Sequence, residues 1–600
     1  MKLSLDTIDV AIMILYGVII IGYGLFKAKR KDSEEYFLGG RSMLWPIVGI
    51  SLFAANISSS TLVGLAGDAF KTNTHVYNYE WLATVVLVFF AIFFMPFYLK
   101  SGVYTMPEFL EKRYDSRSRY YFSFITIIGN VIVDTAAGLY VGMLVFEIVF
   151  PEVDTWIIIS ILAVAAAAYT IPGGLSSVIH TEVIQAILLI IGSIILTYYC
   201  LQDVGGWQGM LDGLNNYGDR APVNGMSADE ILSLVRPADD EFMPWTGLLL
   251  GAPLLGFYFW ATNQFMVQRV LSAKDLNHGR WGALMAGFMK LPVIFIMVIP
   301  GTAAILLFDG VDISGYNFQI PRGGTTVTCE NLADCTDYTY PLLLFYQLPT
   351  GLLGLVLAGL LAAMMSSVSA TFNSASTLIT MDFVYKLNPN MTSKQLVRAG
   401  QIATAALVVL AAAWAPQIKQ FDSLFKYLQQ VIAYTSPPVV AAFLLGLFWR
   451  RGNGTGAIVS LVIGFVLAIF MLYSDIEKSS VETEISKELA VSMPDADAVT
   501  LAQNMESMLQ ERLNPIFYEV AEIHFLHKAF YLMVTALFIH IFVSLMTPPP
   551  DPKQVEEFTW KRKLLDEETV ELKGLPWYKN YRIISIILLI ATAIMVGAFW

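Results

Sequence analysis

Charge is the scarcest property of this 600-residue sequence: Asp, Glu, Lys and Arg make up 14% of it, against 56% hydrophobic residues. Water-soluble chains carry about 25% charge, so a string of soluble domains is excluded. Cysteine is nearly absent, with three residues in all, which rules out a disulfide scaffold or a Cys-rich metal centre. A net charge of −12 without a basic arm or cluster leaves nothing to hold nucleic acid. The sequence also has only six histidines and lacks His-Glu-X-X-His, Gly-X-Ser-X-Gly and a phosphate-binding loop. Enzyme chemistry and an ATP-driven pump therefore have little support.

What the sequence does contain is apolar runs of about 20 residues, the length a helix needs to cross the hydrocarbon of a bilayer. Fourteen candidate spans lie near 8–26, 43–69, 77–99, 120–149, 155–171, 178–201, 246–268, 281–308, 341–384, 397–415, 422–449, 456–473, 524–546 and 581–600. The fold class is thus an all-α polytopic membrane protein. The first run has one preceding lysine and no small-residue cleavage site, and it leads into Lys27, Lys29, Arg30 and Lys31. It reads as a retained helix with its amino terminus outside. Alternating the connections from there places about 25 Lys and Arg in 27–41, 100–119, 269–280, 386–398, 450–451 and 553–582, against about nine on the other side. That bias supports both the orientation and the even number of spans, which puts the carboxyl terminus outside as well.

The outer loops 202–245 and 474–523 are mainly acidic, and Leu501, Met505, Met508 and Leu509 recur at helical spacing before Pro515. A short amphipathic helix on the outer face is expected there. Cys329 and Cys335 share the outer loop 309–340, where an oxidising compartment permits a small disulfide ring. Cys200, at the end of a span, reads as a core residue. No Asn-X-Ser/Thr pattern faces outward, which favours a bacterial inner membrane.

Several spans contain residues that lipid-facing helices avoid. The second reads Asn56-Ile57-Ser58-Ser59-Ser60-Thr61. Such a run is tolerated where a helix breaks and its freed carbonyls line a cavity or bind an ion, and helix-helix packing through small polar residues is the competing explanation. Five spans later, Gly251, Pro253 and Gly256 weaken the helix that carries Phe257, Tyr258, Phe259 and Trp260. Two five-helix halves, each opening on a discontinuous helix, form the inverted-repeat pattern of secondary transporters. Glu80 and Lys290 are ionisable residues inside spans of different halves, opposite in sign and able to neutralise each other, and each costs about 2.5–3.5 kcal/mol at mid-membrane if left unpaired. Gln429 adds an amide to the eleventh span. Ser366 and Ser367 of the ninth span, joined by carbonyls near Ala54 and Ile57, offer the hard oxygens that Na⁺ requires.

At these residues the sequence resembles the sodium/solute symporter family, and within it the sodium/glucose cotransporter branch. The resemblance runs through Ala54-Ala55-Asn56-Ile57-Ser58, Tyr79-Glu80-Trp81, Asn263-Gln264 with Gln268-Arg269, Met289-Lys290-Leu291, Ser366-Ser367, Asn373-Ser374-Ala375-Ser376-Thr377 and Thr380-Met381-Asp382. It implies a LeuT-like 5+5 inverted repeat with one extra helix before it and three after. The corresponding boundaries are 1–42, 43–201, an outer loop 202–245, 246–449 and 450–600. It further implies a Na⁺ site made by Ala54, Ile57 and Ala363 carbonyls with Ser366 and Ser367 hydroxyls. The implied sugar site comprises Asn56, Glu80, Phe259, Trp260, Lys290 and Gln429. A second family Na⁺ site maps onto Glu182 and Ser369, although Ala370 stands where the family has a hydroxyl. Thr61 departs from the Gln or His common in sugar carriers of the branch.

These observations lead to an expected Na⁺-coupled symporter of a small neutral polyol, such as glucose or galactose, with the sugar or polyol, Na⁺ and the lipid bilayer as partners, for which a monomer is sufficient and an oligomer possible. The alternatives are a myo-inositol or other organic-solute symporter, and a sodium-gated sugar sensor or channel.

Overall fold

The computed structural model describes residues 5–28, 32–150, 152–311, 313, 319–322, 325–329, 332–416, 424–493 and 498–600. Among these the chain is helical throughout except for loops and one short hairpin, Gln319–Arg322 paired antiparallel with Thr325–Thr328. Among the described residues ten helices are long and apolar enough to cross a membrane, or up to twelve when two bent pairs are each taken as one span. The bent pairs are Trp45–Asn56 with Ser59–Phe70, at 56°, and Leu276–Lys290 with Ile294–Leu307, at 47°.

The difference from fourteen has two physical sources. The runs 155–171 and 178–201 lie in one 49-residue helical stretch, Thr155–Asp203, interrupted at Gly174 with φ 58° and ψ −155°. Only glycine adopts that backbone geometry readily, and a Cβ there would sit 2.4 Å from the Tyr36 carbonyl oxygen. Pro172, just before it, removes a ladder N–H. The run 246–268 is divided among Trp245–Leu250, Ala252–Phe257, a π-helical turn Tyr258–Thr262 and Gln264–Leu271, each too short to count alone. Its sharp break is at Asn263 (ψ 130°), beyond the Gly251–Gly256 stretch expected to carry it. Gly251 and Pro253 instead open a helical segment, a position that proline tolerates.

The cationic connections gather at one pole of the molecule. Arg41 donates to the Gly102 and Val103 carbonyls, and the Ser33 N–H donates to Ser393 Oγ. Lys386 pairs with Glu111, and Arg113 donates to the Gly446, Trp449 and Gly452 carbonyls. The Lys274 N–H meets the Met43 carbonyl, and Arg280 pairs with Glu568. These contacts link the six Lys/Arg-rich connections, directly or through residues that flank them, at one pole. The Gly174 turn joins them, since the Tyr36 hydroxyl donates to the Ile171 carbonyl. At the opposite pole Asp6 accepts from Thr350, Arg220 pairs with Asp309, and Thr246 meets His527.

Leu352–Leu378 runs through the centre, with nearly every side chain buried. Thr7–Lys27, by contrast, leaves Ile14 62% and Val18 66% exposed, an apolar strip suited to lipid rather than water. The expected amphipathic helix forms as Ala498–Arg512. Its Leu509, flanked by Met505 and Met508, packs on Ile485 and Leu489. Those two residues belong to Gly454–Ser492, which extends well past the run 456–473, so the amphipathic helix covers a protruding helix end. A disulfide joins Cys329 and Cys335, and Cys200 is a buried free thiol.

Candidate functional site

The bend between Trp45–Asn56 and Ser59–Phe70 releases specific carbonyls. In an unbroken helix the Ala54 oxygen would accept from the Ser58 N–H, but that donor turns to Asn56 O at 3.0 Å. The Ile57 oxygen would accept from the Thr61 N–H, which Ser58 Oγ takes instead, at 3.1 Å, as the cap of the following helix. Ser366 Oγ of the central helix donates to the freed Ala54 oxygen at 3.0 Å. One residue along, Ser367 Oγ donates to the Ala363 oxygen at 3.1 Å. The structure thus brings Ala54, Ala363, Ser366 and Ser367 together beside the break that contains Ile57. All five offer neutral hard oxygens, and this donor chemistry fits Na⁺. Replacing Ser366 or Ser367 with Ala is expected to raise the Na⁺ concentration for half-maximal uptake about tenfold, as checked by sodium titration of uptake at fixed solute. Solute selectivity should not change.

The same break opens onto a cavity whose walls include Asn56, Ser60, Thr61, Glu80, Phe259, Trp260 and Gln429. Five of the six sequence-predicted solute residues therefore share one cavity. Asn56 Oδ1 is buried without a hydrogen-bond partner among the described residues, which leaves its acceptor capacity free on the cavity wall. Thr61 Oγ1 donates to the Asn56 carbonyl at 3.1 Å. The Phe259 ring meets Trp260 and Phe265 edge-on, with centroids 5.5 and 5.4 Å apart.

Lys290 sits elsewhere than expected. It is absent from the cavity wall and ion-pairs with Glu80 from behind. Its Nζ lies 5.7 Å from the Phe53 ring centroid and 5.5 Å from that of Trp260. Its place is thus to hold the Glu80 carboxylate toward the cavity rather than to face it. The approach to Glu80 is clamped from the outer pole, where Asn78 Nδ2 donates to the Leu234 carbonyl at 2.8 Å and Arg236 donates to the Thr72 carbonyl at 2.7 Å. Asp240 in the same outer loop is held down to about 2, because hydrogen bonds from His75 and the Met243 and Phe242 N–H groups outweigh the upward push of burial.

Glu182 and Ser369 are not presented together. Arg269 and Ser51 occupy the Glu182 carboxylate, and Ser369 Oγ bonds Tyr169 Oη at 2.7 Å. Sequence reasoning missed Asp134, which also lines the cavity. A signal was present, since Asp134 is an ionisable residue in the middle of the span 120–149 and carries the same penalty as Glu80.

With this geometry in view, the model of the sodium:solute symporter family matches residues 36–464. The chain belongs to that family. It is 34% identical over 602 residues to the human sodium/myo-inositol cotransporter, covering 96% of this chain and 79% of the relative. It is 32% identical over 580 residues to sheep sodium/glucose cotransporter 1, covering 94% and 82%. The fold is similar to that of a Na⁺-coupled sialic acid symporter solved in a substrate-bound outward-open state. The TM-score is 0.69 at 19% identity, over 91% of this chain and 99% of the other. As a sodium:solute symporter the chain is a multi-pass membrane protein with Na⁺ as its coupling ion.

Proposed function

We propose that this chain is a Na⁺-driven symporter of a small neutral polyol, a monosaccharide such as glucose or galactose, working by alternating access. The observation that carries this reading is that one helix break serves two ligands. Its freed Ala54 carbonyl accepts from Ser366, the neighbour of Ser367, while its Asn56 side chain lines the cavity that also holds Glu80 and Gln429. A ligand shifts a conformational equilibrium only by its differential affinity for the two states. Na⁺ seated at the break orders the backbone that presents Asn56, so the ion favours the state competent for solute. One Na⁺ entering through 100 mV contributes about 2.3 kcal/mol, and a tenfold gradient adds about 1.4 kcal/mol. Together they support roughly 500-fold accumulation.

In this reading the chain crosses the bacterial inner membrane fourteen times with both termini outside. Residues 43–201 and 246–449 are the two repeats, and 450–600 supplies three further helices. The meeting of the cationic connections at one pole supports the alternation. One Na⁺ accompanies each solute, since Arg269 already neutralises Glu182. No bond is made or broken in the solute, and a monomer suffices. myo-Inositol is the second reading, favoured by the short Thr61 side chain in the cavity wall. Uptake into proteoliposomes against a Na⁺ gradient, with hexoses and myo-inositol compared, tests both. Gln429→Ala removes an amide from the wall and is expected to weaken solute binding roughly 5- to 150-fold, the range for a buried hydrogen-bonding group left unpaired. Calorimetry should show Na⁺ binding retained in that variant.

A further inference from the structure

Resting on the sodium site proposed above, we infer that Asp134 is the counter-charge of the transported Na⁺, the residue through which the ion's charge enters the solute cavity. Three observations place it there. Asp134 lines the cavity together with Ser367 and Thr371. Its neighbour Thr135 shares a 2.7 Å hydrogen bond with Thr371 Oγ1, and Thr371 in turn donates to the Ser367 carbonyl at 3.1 Å. One turn along the same helix, Gly138 is pressed against the sodium serine, since a Cβ there would lie 3.6 Å from Ser367 Oγ. Residues four apart share a helix face about 5–6 Å from each other. Asp134, at the end of the π-helical turn Asn130–Thr135, thus shares with Ser367 the cavity wall where their two helices abut.

The charges of the cavity then sum simply. Glu80 is balanced by Lys290, and no ion pair reaches Asp134 among the described residues; Asn130, one turn before it, carries no charge and donates to Ser374 Oγ at 2.9 Å. All five proposed Na⁺ ligands are neutral, so the ion brings a positive charge that they do not cancel. An uncompensated carboxylate and an uncompensated cation in one low-dielectric cavity attract strongly. Binding of Na⁺ leaves the cavity neutral and fit for an uncharged polyol. Without Na⁺, a desolvating solute would have to cover a bare carboxylate. Asp134 thus acts as a positioning and coupling residue, distinct from the oxygens that ligate the ion.

The test is Na⁺ binding to purified Asp134→Asn, followed by calorimetry and by Trp260 fluorescence without solute, beside uptake at graded Na⁺. The variant is expected to bind Na⁺ at least tenfold more weakly, with near wild-type solute affinity once Na⁺ saturates. Asp134→Glu should recover Na⁺ affinity, which a merely structural role would not produce, and thermal melting of both variants reports folding. Wild-type Na⁺ affinity in Asp134→Asn overturns the inference. So does a loss of solute affinity that persists at saturating Na⁺, which makes Asp134 a solute ligand. If Ser366→Ala and Ser367→Ala leave Na⁺ binding unchanged while Asp134→Asn weakens it, the neutral-oxygen site is the part that fails.

Discussion

Glu80→Ala is expected to abolish Na⁺-driven uptake and to cost the folded protein about 3–5 kcal/mol, the penalty for breaking a buried ion pair from one side. Lys290 is fully buried, and its partner in the structure is Glu80. Once the carboxylate is gone the ammonium keeps, among the described residues, only the Phe53 and Trp260 ring faces, 5.7 and 5.5 Å away. Cation–π attraction of about 2 kcal/mol at best does not replace a charged hydrogen bond. Removing both partners, as in Glu80→Ala with Lys290→Met, should restore most of the stability, because an apolar replacement of a buried pair is close to neutral, yet leave uptake lost. Thermal melting in detergent and solute uptake separate the two effects. Full uptake by Glu80→Ala would place the solute elsewhere.

Asp382→Ala should be equally damaging to folding while lying far from the solute residues in the architecture. Asp382 is fully buried and accepts from Arg119 Nε at 3.0 Å, Arg119 Nη2 at 2.6 Å, Ser123 Oγ at 2.5 Å and Thr105 Oγ1 at 2.7 Å. Arg119 also reaches Glu111, which holds Lys386, so the carboxylate ties the connection 100–119 to the end of the central helix. Its removal leaves Arg119, only 8% exposed, with Glu111 and the Met381 carbonyl as partners and two hydroxyls without an acceptor, at a cost of about 3 kcal/mol, the lower end for a buried pair broken from one side. Asp382→Asn keeps an acceptor and loses the charge, and should fall between wild type and Ala. The yield of monodisperse protein and its melting temperature measure the series. Unchanged melting in Asp382→Ala would show that the network contributes nothing to stability.

Much of this was readable from the sequence because a bilayer punishes polarity so heavily. Asn56-Ile57-Ser58-Ser59-Ser60-Thr61 within an apolar run pointed either to a broken helix or to packing through small polar residues, and the break is there, with Ala54 and Ile57 losing their usual donors. Lys and Arg in alternate connections indicated that those connections share a side, and in the structure they touch. Glu80 and Lys290, opposite in sign and placed in different halves, do pair. These inferences needed only the solvent and the order of residues along one chain.

What the tertiary structure alone decided is which group stands opposite which. Arg119 and Asp382 are 263 positions apart and Arg269 and Glu182 are 87 apart, separations over which no periodicity carries information. The placement of Lys290 behind Glu80 rather than on the cavity wall goes with Phe53 and Trp260 flanking it. That Asp134 and Ser367 line one cavity depends on Gly138 letting their two helices approach closely. The break at Asn263 rather than at Gly251 likewise follows from packing, since the Tyr98 hydroxyl donates to the Ala261 carbonyl at 3.0 Å. Hydrophobic patterning is a property of each helix against its solvent. The charge balance of a cavity belongs to the helices that meet around it, and it exists only once they are packed.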